Sequence, residues 1–208
     1  MRKIGVIFGG MSTEHEVSIS SGTSIISNLD KQKYEILPIY ISKSGEWYKY
    51  TKPVNDIIPL HVGDEITELE KIENEFECLK SLDIAFPVLH GLYGEDGTIQ
   101  GLLELLKIKY VGCKVLSSSI CMDKVYAKIV FDKAQIPQAD YAYVKAEKGK
   151  YTYVHKNFDE ETLDLDQICK KIESKLGLPV FVKPSNSGSS VGIKKAENIE
   201  ELKQAIEY

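Results

Sequence analysis

Through residue 116 short apolar runs alternate with stretches of helical periodicity, the order expected of α/β units around a mainly parallel sheet. Ile4 to Phe8 is a compact run that predicts a buried first strand, ending at Gly9 and Gly10. From Glu16 to Leu29 the pattern predicts a helix with Val17, Ser21, Ile25 and Leu29 on one face. Ile36 to Ile41 reads as a second strand. Lys43-Ser44-Gly45 is a turn, and "EWYKY" alternates large aromatic residues into a short strand or hairpin arm. Residues 55–77 are acidic and weakly periodic, an irregular excursion. Ile84 to Leu89 is a strand ending at His90. The helix after Asp96 buries Ile99, Leu102, Leu103 and Leu106, and Tyr110 and Val111 open the next strand.

A second unit begins near Ser117. "SSSICMDKVYAKIVFDKAQIP" starts with cap-forming serines and reads as one amphipathic helix that Pro137 stops. "ADYAYVKA" and "KYTYVHK" have the period of antiparallel strands joined through Gly149. A helix from Leu165 to Leu176 is closed by Gly177. Val180 to Lys183 is a strand, Val191 to Lys195 its hairpin partner across a serine-rich loop, and Asn198 to Tyr208 a helix cut short. The domains expected are therefore 1–116 and 117–208. The second is small for a complete domain and nothing in "AIEY" signals a stop, so a fragment of a longer enzyme is expected.

Composition narrows the partners. With 26 basic and 31 acidic side chains the net charge is -5, which gives no encouragement to nucleic acid or an anionic membrane. No stretch approaches the ~18 apolar residues of a bilayer span. The opening "MRKIGVIFGG" meets glycines rather than a cleavage site and reads as a strand, not a leader. The four cysteines form no C-x-x-C pair and have no close histidine, which argues against zinc or redox chemistry. Reduced, mostly buried thiols in a cytoplasmic protein are expected.

Three loops carry candidate chemistry. In "FVKPSNSGSS" a strand ends at Lys183, and four serines and a glycine then fall within residues 185–190. The lysine precedes Gly188, so this is no Walker loop, and G-x-G-x-x-G is absent, so it is no dinucleotide fingerprint. Small residues still let backbone N–H groups approach an anion, hydroxyls add donors, and a lysine supplies a point charge. A plain turn between strands has the same composition. In "FGGMSTEHEVS" a strand leads into two glycines and then Ser12, Thr13, Glu14 and His15 at a helix start, where doubly wound sheets put ligand loops. Ser12 or Thr13 as a helix cap, with Glu14 favoured by the helix dipole, fits equally. "HGLYGEDGTIQG" again follows a strand, with Gly91, Gly94 and Gly97 beside His90, Glu95 and Asp96. His90 as a structural residue and Asp96 as a helix cap are the alternatives.

Taken in order, "GGMSTEHEVSISSG", "HGLYGEDGTIQGLLELL", "YVGC...SSSICMDKVYAK" and "PVFVKPSNSGSSVG" resemble the D-alanine-D-alanine ligases of the ATP-grasp superfamily. The likeness covers nearly the whole chain and is weakest at 46–80 and 145–165. It implies a doubly wound, mainly parallel α/β sheet (pre-ATP-grasp) that binds substrate in 1–116. The first, α+β part of an ATP-grasp fold follows in 117–208, with the chain ending before the C-terminal catalytic domain. The implied reaction serves cell-wall peptidoglycan synthesis: ATP phosphorylates the carboxylate of one D-alanine, and the amine of a second attacks the acyl phosphate. Glu14 matches the glutamate that holds the first ammonium group, Val17 lines that pocket, and His90 matches the histidine beside the reacting carboxylate. Ser189 matches the serine linking that glutamate to a downstream tyrosine, so Glu14 and Ser189 carry the catalytic assignment. Lys124 and Lys183 match the phosphate-binding lysines, with Ser187, Gly188, Ser189 and Ser190 as the loop over ATP. The Mg²⁺ ligands of the family lie downstream, none is assigned here, and the piece alone is expected to be inactive. A homodimer is implied. "GEWYKY" resembles the longer ligases, including D-alanine-D-serine enzymes of vancomycin resistance, whereas "GSSVG" with Val191 resembles the ordinary dipeptide ligases, and D-alanine is favoured as second substrate. A non-catalytic nucleotide-binding module is the alternative of a different class. A dehydrogenase is disfavoured by the missing fingerprint.

Overall fold

The computed structural model describes residues 1–208, which divide into two compact units, Met1–Met122 and Asp123–Tyr208. The first runs β1 (Arg2–Gly9), α1 (His15–Asn28), β2 (Tyr34–Ile41), β3 (Trp47–Tyr50), β4 (Leu69–Lys71), α2 (Glu75–Lys80), β5 (Ile84–Pro87), α3 (Thr98–Leu105), β6 (Lys109–Tyr110) and α4 (Val115–Met122). Its six strands lie in the order β4-β3-β2-β1-β5-β6. The four from β2 to β6 pair in parallel, and β3 and β4 extend that edge antiparallel.

Strand β1 shows why the sheet needs cover on both sides. Ile4, Val6 and Phe8 enter one core with Ile19 and Ile26 of α1, while Ile7 enters another with Leu79, Ile99 and Leu103. A strand buried on both faces reads as a continuous apolar run because it lacks a polar side. The register Ile4↔Ile36 and Ile4↔Ile84 puts β1 at the centre. The chain leaves β1 toward β2 on one side and returns to β5 on the other, which makes the carboxyl ends of β1 and β5 the topological switch point.

The expected face of α1 is corrected. Its buried stripe is His15, Ser18, Ile19, Gly22, Thr23 and Ile26, whereas Val17 is 43% exposed. Small and polar residues occupy the stripe because the helix lies close to the strand and its polar atoms are satisfied. A Cβ on Gly22 would lie 2.4 Å from Phe8 Cβ. Thr23 Oγ1 donates to Ile19 O at 2.8 Å and accepts from Leu60 N at 2.9 Å.

Residues 55–77 hold more order than their composition indicates. Ile57 is buried in the α1-side core, β4 pairs with β3, and Asn74 caps α2 by accepting from Glu77 N at 3.1 Å. Three-residue strands and six-residue helices are too short to print a period.

The second unit runs α5 (Lys124–Lys133), β7 (Tyr143–Glu147), β8 (Lys150–Val154), β9 (Glu160–Leu163), α6 (Leu165–Leu176), β10 (Val180–Val182), β11 (Lys194–Ala196) and α7 (Ile199–Glu207). The single helix expected from the serines to Pro137 is two: α4 ends at Met122, and Asp123 starts α5 by accepting from Val125 N at 2.8 Å. The boundary expected at 116/117 falls inside α4, and the compact units divide after Met122. Strands β7, β8 and β9 form an antiparallel sheet, with Lys148 (φ 48°) and Gly149 (φ 75°) in the first turn. The core joins Tyr153, Ile168, Cys169, Ile172, Ala196 and Leu202. All four thiols are free, but only Cys169 is buried. Cys78 is half-buried, and Cys113 and Cys121 are exposed, which corrects the expectation of mostly buried cysteines. The exposed pair lies in the loop before α4 and on its surface, outside both sheet cores.

Candidate functional site

At the switch point two loops are stitched together. Ser12 Oγ donates to His90 O at 2.7 Å and accepts from Glu14 N at 3.1 Å, so one hydroxyl ties the loop after β1 to the loop after β5. Ser18, fully buried on α1, adds a second tie: its Oγ accepts from Gly9 N at 2.8 Å and donates to Val88 O at 2.6 Å. Glu14 occupies the position before α1 with no side-chain capping bond. Its carboxylate lies against Gly91, where an added Cβ would stand 2.4 Å from Glu14 Oε2. His90 Nε2 lies 3.1 Å from Ser21 Oγ on α1. Glu14, Val17 and His90 thus belong to one edge of the first unit.

The glycine loop is held by its own carboxylates. Gly91 N donates to Glu95 Oε2 at 2.6 Å, and Asp96 accepts from Tyr93 N at 2.8 Å and Thr98 N at 2.9 Å. Burial pushes the Asp96 carboxyl up, but the amides of Thr98 and Tyr93 outweigh it and hold the group below its ordinary 3.8. Gln100 Nε2 on α3 donates to Gly94 O at 2.8 Å. The N-cap of α3 is Gly97, so Asp96 just before it braces the loop through the Tyr93 and Thr98 amides, and Glu95 braces it through Gly91 N.

In the second unit the serine loop closes on Lys124. The Lys124 backbone N–H donates to Ser185 O at 2.8 Å, and its Nζ donates to Ser187 O at 2.5 Å. Lys183 is exposed at the end of β10. Val191 N donates to Gly188 O, Ile193 N to Ser190 O, and Ser187 Oγ to Val191 O, which curls residues 187–193 into consecutive turns. Ser189 and Ser190 both have positive φ, 46° and 61°, a conformation costly for residues with a Cβ and recurrent where a loop serves a ligand. Lys124 and Ser187 to Ser190 are thus one local assembly, with Lys183 at the strand end that opens it.

The sequence placed Ser12 and His15 at the helix start without these roles and did not single out Ser18. Ser12 and Ser18 act as clips between strands, and His15 is buried with both ring nitrogens engaged. The available signal was the spacing of His15, Ser18, Gly22 and Thr23, a stripe of small and polar residues at helical period. No group of three or more His, Cys, Asp or Glu side chains is gathered as for a metal ion. No helix is long and apolar enough to cross a membrane.

This geometry defines an α/β protein with two glycine-bearing loops tied together at the carboxyl edge of a doubly wound sheet, joined to an α+β unit that bears a lysine-held serine loop. Family models described as D-ala D-ala ligase N-terminus and C-terminus match residues 3–113 and 130–208. A D-alanine--D-alanine ligase of Clostridium acetobutylicum is 49% identical over 99% of this chain and 57% of its own length. Among solved structures, the VanG D-Ala:D-Ser ligase from Enterococcus faecalis aligns with a TM-score of 0.75 at 36% identity, over 99% of this chain and 58% of that one. The Bacillus anthracis D-alanine--D-alanine ligase complexed with ATP aligns at 0.66 and 35% identity, over 100% of this chain and 54% of that one. The chain belongs to the D-Ala-D-Ala ligase family, of ATP-grasp fold, and spans about half the length of the curated relatives it matches.

Proposed function

We propose that the protein to which this chain belongs joins two D-alanines at the expense of ATP. The carboxylate of the first takes the γ-phosphoryl group and releases ADP. The amine of the second then attacks the acyl phosphate and phosphate leaves. Phosphoryl transfer is mainly positioning and charge neutralisation. Glu14 holds the first ammonium group, Val17 lines its pocket, and His90 sits beside the carboxylate. Lys124 and Lys183 contact the phosphates, with Ser187, Gly188, Ser189 and Ser190 as the loop that covers them. Ser189 stands at the position of the family's serine that links the ammonium-holding glutamate to a downstream tyrosine.

The observation that carries this reading is the placement of Glu14 against Gly91, with Ser12 binding its loop to His90 at the switch point. A carboxylate at a helix start, set against the glycine of a neighbouring loop, is suited to an amino-acid ammonium. In the second unit the Lys124 ammonium already rests on a loop carbonyl that a phosphate oxygen replaces on binding. The same reading makes the protein a cytoplasmic homodimer that uses Mg²⁺, whose ligands are assigned to none of these residues.

The test is phosphate release from ATP by the whole protein. Release is expected only with D-alanine present, and release indifferent to D-amino acids overturns the proposal. Loss of a charge-assisted contact should raise the KM for D-alanine in Glu14→Gln by about 10- to 100-fold and leave that for ATP nearly unchanged. Lys183→Ala should do the reverse, and equal losses at both substrates contradict the separate roles. The likeness of "GEWYKY" to the longer ligases favours a second reading, D-serine as second substrate. Preferential D-Ala-D-Ser formation in the same assay would establish it.

A further inference from the structure

We infer that His15 is a positioning residue for Glu14, acting through the Gly10 carbonyl and the Tyr40 hydroxyl. The inference rests on the reading that Glu14 holds an amino-acid ammonium group, and its structural part is testable apart from that reading. His15 is the first residue of α1 and follows Glu14 directly, yet its side chain is only 4% exposed. A buried imidazole is costly unless its nitrogens are bonded. Both are: Nδ1 lies 2.5 Å from Gly10 O and Nε2 3.2 Å from the Tyr40 hydroxyl, with the Tyr40 ring packed edge-on at a centroid distance of 5.6 Å.

These partners fix the proton. A carbonyl oxygen only accepts, so Nδ1 carries hydrogen and donates to Gly10 O. With the hydrogen on Nδ1, the neutral tautomer leaves Nε2 to accept from Tyr40 O–H. Tyr40 is suited to stay a donor, since burial pushes its phenol up, with Tyr48 adding to the effect.

The geometric consequence falls on the Gly10 peptide. Its N–H donates to Ile41 O at 2.8 Å and its C=O accepts from His15, so both faces of this one residue are fixed by the neighbours of Glu14 and Tyr40. Gly10 has φ +94°, and Gly9 has φ +89° with no room for a side chain, since a Cβ there would stand 2.2 Å from Ile41 O. Two glycines give the loop freedom in the unfolded chain, and His15 removes it at the position from which Met11 to Glu14 depart. An apolar side chain would fill the same space without choosing the direction of that carbonyl.

The test compares three substitutions. His15→Asn sets an amide nitrogen near the place of Nδ1 and keeps the donor, His15→Gln reaches toward Tyr40 instead, and His15→Leu keeps neither. In the whole protein the Leu and Gln variants should raise the KM for D-alanine about 3- to 10-fold, the range of one net hydrogen bond, with the KM for ATP unchanged. The Asn variant should return it close to the wild-type value. Nitrogen-15 NMR of the wild-type chain should show the His15 proton on Nδ1, and amide exchange at Gly9, Gly10 and Glu14 should quicken in the Leu variant. A proton on Nε2, an Asn variant no better than Leu, or parallel rises in both KM values would overturn the inference. If wild-type protein shows no D-alanine-dependent turnover, the ligase proposal fails, while the NMR tautomer and the exchange pattern still decide whether His15 directs Gly10.

Discussion

At Gly91 the backbone has φ +67°, and the nearest atom to an added side chain is Glu14 Oε2 at 2.4 Å. Two independent costs therefore meet at one residue: the left-handed conformation, about 1–2 kcal/mol for a residue with a Cβ, and displacement of a carboxylate whose position the proposed chemistry uses. Gly91→Ala should lower the thermal midpoint modestly and raise the KM for D-alanine much more than that for ATP. Gly63 has a similar φ of +97° with nothing within 4 Å, so Gly63→Ala supplies the control. It should share the stability loss and leave both KM values alone. Calorimetry and phosphate release on the two variants separate strain from displacement. The glycines of "HGLYGEDG" were legible as loop-formers, because permissive residues after a buried strand mark a ligand loop. What Gly91 touches was not legible, because Glu14 stands 77 positions away and such contacts leave no local period.

The helices show which elements the chain writes out locally. Helix α6 begins and ends where the pattern placed it because its signals are its own: Asp164 and Gln167 form a capping box, and Gly177 closes the last turn with φ +71°. The boundary between α4 and α5 was misread for the opposite reason. The apolar pattern continues through "SSSICMDKVYAK", while Asp123 interrupts it with a cap whose Oδ1 takes both Val125 N and Tyr126 N. Helix α1 was recognised as an element but assigned the wrong face, since His15, Ser18 and Thr23 find buried partners that hydropathy does not foresee. The break before α5 also presents the Lys124 N–H to Ser185 O. Asp123→Ala should therefore cost about 1 kcal/mol, the usual range for a lost cap being about 0.5–2. It should also weaken ATP binding beyond that of a cap removed elsewhere, such as Asn198→Ala at the start of α7. Nucleotide titration of the two variants checks this, and equal affinities would detach the cap from the role proposed for Lys124.

At the scale of the molecule, the cores divide along the chain. The two that sandwich the first sheet draw their members from residues 4–110, and the third from residues 142–206, with no side chain in common. Burial supplies most of the stability of each, so a cavity in one core should be felt first by the elements around it. Leu202, 1% exposed on α7, packs in the third core. Truncating such a leucine costs about 2–5 kcal/mol, a large share of the ~5–15 kcal/mol available to a whole domain. Leu202→Ala should quicken amide hydrogen exchange in α6, β8, β10 and α7 and leave β1, β2 and β5 protected. Leu103, fully buried on α3 in the first unit, should give the converse pattern when replaced by alanine. Loss of protection in both units from either substitution would mean that they unfold as one. Changes at Lys124 and at Glu14 could then not be assumed to act separately. A local response in each case would allow loss of ATP affinity and loss of amino-acid affinity to be assigned to their own units.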